Sequence, residues 1–171
     1  DPGTGAKLRA LFVARGAYVC SEVESRALDA VCFDADKRSM RAEVVGRPAP
    51  AIAALAGFEV PAGIRLLIAN PGGVGREHAL AHEILSPVLA WLEVSKEDDA
   101  FAACALTLKL GGEGHTLGIH ARDEAVIERF SALPAARVLI NQPTTEGAVG
   151  GIWNRLRPSL SLACGTRARN L

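Results

Sequence analysis

Histidines and acidic residues cluster in two places along the chain, and each cluster could do acid–base or metal chemistry. His78 and His82 are four residues apart and are followed by Glu83, a spacing that on a helix could offer two ligands to zinc. No third ligand stands out beside them, so we predict no metal site. His115 lies in the glycine-rich run 111–116, where the backbone could approach a ligand and the imidazole could transfer a proton. The alternative is a helix end followed by a structural histidine.

Four cysteines, at positions 20, 32, 104 and 164, form no CxxC pair, which disfavours zinc-ribbon and thioredoxin-like sites. Cys20 directly precedes a predicted helix, whose N-terminus could lower the pKa of a thiol. No histidine is adjacent to it in sequence, and burial is the commoner fate of a cysteine. We therefore expect Cys20 to be structural and the chain to be reduced, and we leave Cys164 open between the same two interpretations.

The elements that must position these residues alternate between helix and strand. Apolar residues at helical spacing predict helices over 6–16, 21–33, 50–56, 96–108 and 122–133, the second capped by Ser21. Short apolar runs predict strands over 42–46, 64–69, 87–94, 116–120 and 136–141. The tail from residue 142 is predicted as loop with one short strand at 160–162. The alternation predicts an α/β fold, a three-layer α/β/α single domain over residues 1–171 with a mainly parallel sheet of about five strands.

The predicted parallel sheet indicates where a ligand would bind. Such sheets bind ligands beyond the carboxyl ends of their strands, so we expect a site in the loops after Ile68, Val94, Ile119 and Ile140. Neither G-x-G-x-x-G after a strand nor G-x-x-x-x-G-K-[ST] is present, so the usual dinucleotide and P-loop fingerprints are absent.

The amino-acid composition argues against several classes of binding partner. The 171 residues carry 19 Lys+Arg and 19 Asp+Glu, a formal net charge of zero, which argues against a nucleic-acid partner because no basic excess exists to displace counterions from phosphate. A hydrophobic content of 49% excludes disorder. The sequence has no apolar run of about 20 residues, and we expect no signal peptide. We expect a cytoplasmic protein without a membrane partner.

Six segments, taken together in this order and spacing, resemble one family. They are VGRPA at 45–49, IAALAGFEVP at 52–61, AHEILSPVLA at 81–90, GEGHT at 112–116, INQPTTEGAVG at 140–150 and RPSLSLACG at 157–165. Each is weak alone, but their combination is similar to the CoA-acylating aldehyde dehydrogenases, NAD(P)-dependent enzymes that interconvert aldehydes and acyl-CoA. The resemblance implies an aldehyde-dehydrogenase catalytic-domain-like fold, of which this chain is a part that lacks the upstream cofactor domain and the nucleophile segment.

The resemblance also assigns roles to individual residues. Glu83 matches the Glu-x-x-Ser-Pro carboxylate that faces the nicotinamide ribose of NAD or NADP, and Leu85 would pack near the nicotinamide. We expect Glu83 at the carboxyl-end face of the sheet, just before the strand 87–94. His115 matches the Gly-His-Thr histidine of the acylating branch, with an acid–base or thioester-handling role. Thr144 and Thr145 lie in the loop that lines the family's acyl pocket.

Two functions follow as hypotheses. In the first, the chain is part of an enzyme that oxidises a small aldehyde through a cysteine thioester, passes the acyl group to coenzyme A, and forms a homo-oligomer at full length. The isolated chain would be inactive. In the second, the same fold is a stand-alone, non-catalytic α/β module for binding or oligomerisation.

The chain departs from the family after the Cys-Gly pair, where a Trp-Gly-Gly-Asn stretch is usual. Arg167 and Arg169 stand in its place. They could bind a CoA phosphate or an acidic aldehyde, or they could belong to a solvated tail.

Overall fold

Helices and short strands alternate along the chain. The computed structural model describes residues 2–34, 36, 39–111, 113–151 and 154–158. The chain divides into two units, Asp1–Ala100 and Phe101–Leu171. Five of the strands pair in parallel, which confirms the predicted α/β fold with mainly parallel pairing. The three-layer arrangement stays a prediction.

The first unit contains most of the elements. In chain order they are α1 (Pro2–Ala14), β1 (Ala17–Val19), α2 (Glu22–Cys32), β2 (Phe33–Asp34), β3 (Ser39–Met40), α3 (Ala49–Leu55), β4 (Leu66–Ala69) and β5 (Val88–Ala90), with 3-10 turns at Ala42–Val44 and Ala79–Ala81. Helix α4 (Glu97–Gly111) follows and contains the boundary between the units. The second unit continues with β6 (Thr116–Ile119), α5 (Glu124–Ser131), β7 (Arg137–Ile140) and α6 (Thr144–Val149).

A three-stranded parallel sheet forms the centre of the first unit. Its order is β1-β4-β5, with Ala17 opposite Leu66 and Leu67 opposite Val88. The central strand β4 is closed to solvent, since Leu67 and Ala69 are fully buried. Burial of a short apolar strand on both faces is the usual pattern of a parallel sheet.

Helix α2 covers this core. Its N-terminal cap determines where the helix begins, and its apolar residues then lie on the side that faces the core. Ser21 accepts a hydrogen bond from the Glu24 amide, and the Glu24 carboxylate accepts one from the Ser21 amide, which completes the capping box that starts the helix. Leu28 and Cys32 then fall one turn apart on the buried side. They pack in one cluster with Ile52 of α3.

The second unit is built on the parallel pair β6–β7. Thr116 lies opposite Arg137 and Ile119 opposite Ile140, and α5 makes the crossover between them. Asp123 caps α5 by accepting hydrogen bonds from the amides of Ala125 and Val126.

The described helices include none with the length and apolar character needed to cross a membrane.

The structure differs from the predicted elements at several places. The segment predicted as a strand over 42–46 contains the 3-10 turn instead, because only Val44 points into the core. The sheet instead gains β1 (Ala17–Val19), which falls between two predicted helices where no strand was predicted. The tail predicted as loop contains α6, while the predicted strand at 160–162 lies outside the described residues. The five parallel strands are also divided between two sheets.

Truncation of Leu28 tests the assignment of the core. We expect Leu28→Ala to lower the free energy of unfolding by about 2–5 kcal/mol because it opens a cavity at a fully buried position. Val23→Ala, on the same helix but 68% exposed, should change it by less than about 0.5 kcal/mol. Urea denaturation of both variants measures the difference, and equal losses would contradict the packing described above.

Candidate functional site

A cleft of about 450 Å³ lies at the carboxyl ends of β1, β4 and β5. It is lined by Arg9, Val19, Cys20, Glu22, Ile68, Ala69, Asn70, Gly72, Trp91, Leu92 and Glu93. Asn70 and Trp91 directly follow β4 and β5, so the loop after Ile68 contributes to a cleft at the edge where parallel sheets bind ligands. The sequence analysis indicated that loop but singled out neither of these side chains.

One wall of the cleft is an electrostatically balanced cluster. Arg9 pairs with Glu93, which also accepts a hydrogen bond of 2.8 Å from the Trp91 indole. The Arg9 guanidinium carbon lies 5.5 Å from the centre of the Trp91 ring, and Phe12 packs edge-on against the same ring. The Arg9 charge is therefore neutralised within the wall.

Cys20 is in this cleft but is unsuited to be a nucleophile. Its amide donates to the Ile68 carbonyl at 2.8 Å, which fixes it beside β4. Burial of the thiol, with a smaller effect from the Glu24 carboxylate, raises its pKa to about 12. Nucleophilic thiols need the opposite shift, because the thiolate is the reactive form. The geometry thus supports the structural role expected for Cys20.

The other described thiols are shifted in the same direction. Burial, and then the charge of Asp29, raises the pKa of Cys32 to about 11. Burial also raises the pKa of Cys104. Cys164 lies outside the described residues.

Alkylation of the native chain tests these shifts. With a pKa of about 12, only on the order of one Cys20 thiol in 10⁴ is ionised at pH 8. We expect iodoacetamide at that pH to leave Cys20 and Cys32 unlabelled in the native chain and to label both in urea. Peptide mass spectrometry locates the label, and rapid native labelling of Cys20 would contradict its assignment as a structural residue.

Glu83 and Leu85 lie on the segment that leads into β5. Both side chains are exposed, and Glu83 has no hydrogen-bond or ion-pair partner among the described residues. Because β4 and β5 are parallel, this segment enters the amino end of β5. Neither residue is among those that line the cleft at the carboxyl ends, and the expected placement of Glu83 at that face of the sheet stays a prediction.

The two histidines on this segment contact different neighbours. His78 lies against the backbone at Gly73, with its Nε2 atom 3.5 Å from a Glu77 carboxylate oxygen. His82 instead stacks on Phe33, with ring centres 4.5 Å apart. Within the described ranges no three metal-ligating side chains come together.

His115 is bonded to the end of the helix that precedes it. Its Nε2 atom lies 2.7 Å from the Gly111 carbonyl oxygen. A carbonyl oxygen only accepts, so this nitrogen carries a hydrogen and Nδ1 is the acceptor of the neutral ring. This hydrogen bond fits the structural role that the sequence analysis gives as the alternative. The Nδ1 atom is not used by this bond and could still take part in proton transfer.

Thr144 and Thr145 are the first two residues of α6, and both are exposed. The Thr144 hydroxyl oxygen would lie 2.9 Å from a Cβ atom at Gly118, so the absence of a side chain there lets α6 approach β6. His115 precedes the amino end of β6, whereas the threonines follow the carboxyl end of β7. The structure therefore places these predicted site residues at opposite ends of the parallel pair.

Asn141, which the sequence analysis did not single out, joins the two loops at the carboxyl ends of β6 and β7. Its side-chain amide donates to the Ala121 carbonyl at 2.8 Å and accepts from the Ala121 amide at 3.0 Å. Its φ of 53° is a left-handed conformation that asparagine tolerates better than most residues. The one available signal was its position as the last residue of a predicted strand.

Comparison with known proteins relates the chain to one group of enzymes. It is 41% identical over 166 residues to an aldehyde-alcohol dehydrogenase of Clostridium acetobutylicum, covering 93% of this chain and 19% of that protein. It is 31% identical over 166 residues to a succinate-semialdehyde dehydrogenase (acetylating) of Clostridium kluyveri, covering 96% of this chain and 36% of the relative.

Comparison with solved structures gives the same relationship. The crystal structure of an acetylating aldehyde dehydrogenase from Geobacillus thermoglucosidasius matches with a TM-score of 0.85 and 37% identity, over 96% of this chain and 36% of that one. No protein-family model matches the chain. The chain thus spans between about a fifth and about a third of these relatives.

Proposed function

Because the chain is homologous to one segment of the acylating aldehyde dehydrogenases, we propose that it contributes part of the catalytic region of an enzyme that oxidises an aldehyde to an acyl-CoA with NAD or NADP. The observation that carries the proposal is the 37% identity to an acetylating aldehyde dehydrogenase over 96% of the chain with a TM-score of 0.85. The nicotinamide would accept hydride and coenzyme A would accept the acyl group.

Glu83 suits a position beside the nicotinamide ribose. Its carboxylate is exposed and has no partner among the described residues, so both oxygens are available to accept hydrogen bonds from ribose hydroxyl groups. A charged acceptor makes the stronger kind of hydrogen bond. Leu85, two residues along and 56% exposed, would provide an apolar contact for the nicotinamide ring.

His115 would handle a proton, and the threonines would shape the acyl pocket. The hydrogen bond from Nε2 to Gly111 fixes the imidazole plane, so Nδ1 would accept a proton from a bound thiol or water. The exposed Thr144 and Thr145 hydroxyls would contact the aldehyde. The nucleophilic thiol would come from outside the described residues, because the described thiols have raised pKa values.

The alternative function, a stand-alone binding or oligomerisation module, is not favoured. Identity to the enzymes extends over more than nine-tenths of the chain, and the exposed Glu83 lies inside the segment AHEILSPVLA, which resembles the family. Cytoplasmic location and a homo-oligomeric full-length protein stay predictions. Arg167 and Arg169 lie outside the described residues, so the anion site considered for them also stays a prediction.

A chimera tests the role of Glu83. Residues 1–171 would replace the matching segment of the Geobacillus enzyme, with which they share the fold. We expect Glu83→Gln in this chimera to slow hydride transfer by about tenfold or more, since a hydrogen bond to a charged group contributes roughly 1.5–3 kcal/mol and a neutral one about 1. Stopped-flow absorbance of the reduced nicotinamide measures the rate.

Glu59→Gln is the matched control for this variant, because Glu59 is also an exposed carboxylate of the first unit. It should leave hydride transfer unchanged. A Glu83→Gln variant that melts at a lower temperature but transfers hydride at the parent rate would make Glu83 a structural residue and would remove the proposed role.

The 171-residue chain alone should oxidise no acetaldehyde in the presence of NAD+, NADP+ and CoA. The physical reason is that burial raises the pKa of the Cys20, Cys32 and Cys104 thiols, which therefore stay protonated at neutral pH. Absorbance of reduced nicotinamide over hours checks this expectation. Robust turnover that Cys20→Ala abolishes would show that Cys20 is the nucleophile.

A further inference from the structure

Glu83 lies between two residues that are anchored to the same hairpin. On one side, the His82 ring stacks on Phe33 with ring centres 4.5 Å apart and planes inclined by 24°. On the other side, the Leu85 amide donates to the Met40 sulfur at 3.4 Å. Phe33 and Met40 are themselves paired across β2 and β3. The hairpin therefore contacts the segment immediately before and shortly after Glu83.

The backbone of the segment is fixed at the same two points. The His82 amide donates to the Ala79 carbonyl at 3.1 Å, which closes the 3-10 turn, and the Leu85 carbonyl accepts from the Gly46 amide at 3.2 Å. Glu83 has neither kind of anchor among the residues that the structure describes. The neighbours therefore determine the position of Glu83, and a substitution at His82 or Leu85 should change that position.

The His82 ring is held by stacking rather than by hydrogen bonding. Its Nε2 atom is sealed from solvent and has no partner in the described part of the chain, and a buried polar atom without a partner destabilises a fold. Stacking of two flat rings fixes the plane of the imidazole and hence the direction of the backbone at residue 82. A phenylalanine could do the same without the unpaired nitrogen.

We propose that His82, stacked on Phe33 of the β2–β3 hairpin, is the positioning residue that holds the Glu83 carboxylate in its binding conformation. The proposal rests on the proposed function, because it takes Glu83 as the carboxylate that receives the nicotinamide nucleotide. Loss of the ring would let Glu83 adopt more conformations. Nucleotide binding would then weaken because ordering the carboxylate costs entropy on binding.

Amide hydrogen exchange on the 171-residue chain tests the anchoring without any cofactor. We expect His82→Ala to speed exchange at Leu85 by about tenfold or more, because removal of the ring frees the segment that presents this amide to Met40. His82→Phe keeps the stacking and should stay within about twofold of the parent. His120→Ala, an exposed histidine of the second unit, is the control and should leave Leu85 unchanged.

Nucleotide binding to the chimera tests whether the anchoring acts through Glu83. Titration with NAD+ should give a dissociation constant about tenfold higher for His82→Ala and a parent-like value for His82→Phe. The double variant His82→Ala/Glu83→Gln should bind no more weakly than Glu83→Gln alone, since residues that act through one another are not additive. A purely structural histidine would lower the melting temperature without this pattern.

Separate results would overturn the two proposals. Parent-like exchange and binding in His82→Ala, or equal losses in His82→Ala and His82→Phe, would overturn the positioning role. Faster exchange in His82→Ala together with parent-like binding in Glu83→Gln would overturn the assignment of Glu83 instead. If His82→Ala fails to fold, Met40→Ala removes the other anchor and should speed exchange at Leu85 to a similar extent.

Discussion

Parallel pairing of β1, β4 and β5 is the constraint on which the rest of the first unit depends. Parallel strands cannot be joined by a tight turn, so the chain must return to the same end of the sheet before each new strand. The return from β1 to β4 contains α2, the β2–β3 hairpin and α3. The return from β4 to β5 contains Glu83 and Leu85. The candidate nicotinamide-side residues are therefore found on a connection that the sheet topology requires.

The second return contains no α-helix, so side chains from the first return hold it. The Ser25 hydroxyl of α2 accepts from the Asn70 amide at 3.1 Å, and the Asp29 carboxylate, one turn later, accepts from the Leu80 amide at 2.9 Å. Further along the same connection, the β2–β3 hairpin contacts His82 and Leu85. Helix α2 thus has two tasks, because its Leu28 covers the sheet while its polar side fixes the loop that approaches β5.

Local signals predicted the elements, and contacts distant in sequence determined the site. Ser21, with Glu24 three residues later, is a helix start that can be read directly from the sequence, and α2 begins there. By contrast, the contact between Phe33 and His82 joins residues that no periodicity relates, and the missed β1 is only three residues long. The family resemblance named Glu83 and His115, but the residues that hold them required the structure.

The ionisation of the thiols determines what this segment could add to acyl transfer. A thioester-forming cysteine needs an environment that stabilises the thiolate. Cys20 has the reverse, because its side chain is buried beside β4 and the Glu24 carboxylate is nearby. That carboxylate stays charged because, although burial opposes its ionisation, hydrogen bonds from Ser21 and Tyr18 lower its pKa. Burial is the main reason that the Cys20 thiol stays protonated, and the carboxylate of the capping box that starts α2 adds to it. Under the proposed function, the described residues would bind the nucleotide through Glu83, whose carboxylate is exposed, and would move a proton through His115, whose Nε2 atom is bonded to the Gly111 carbonyl oxygen.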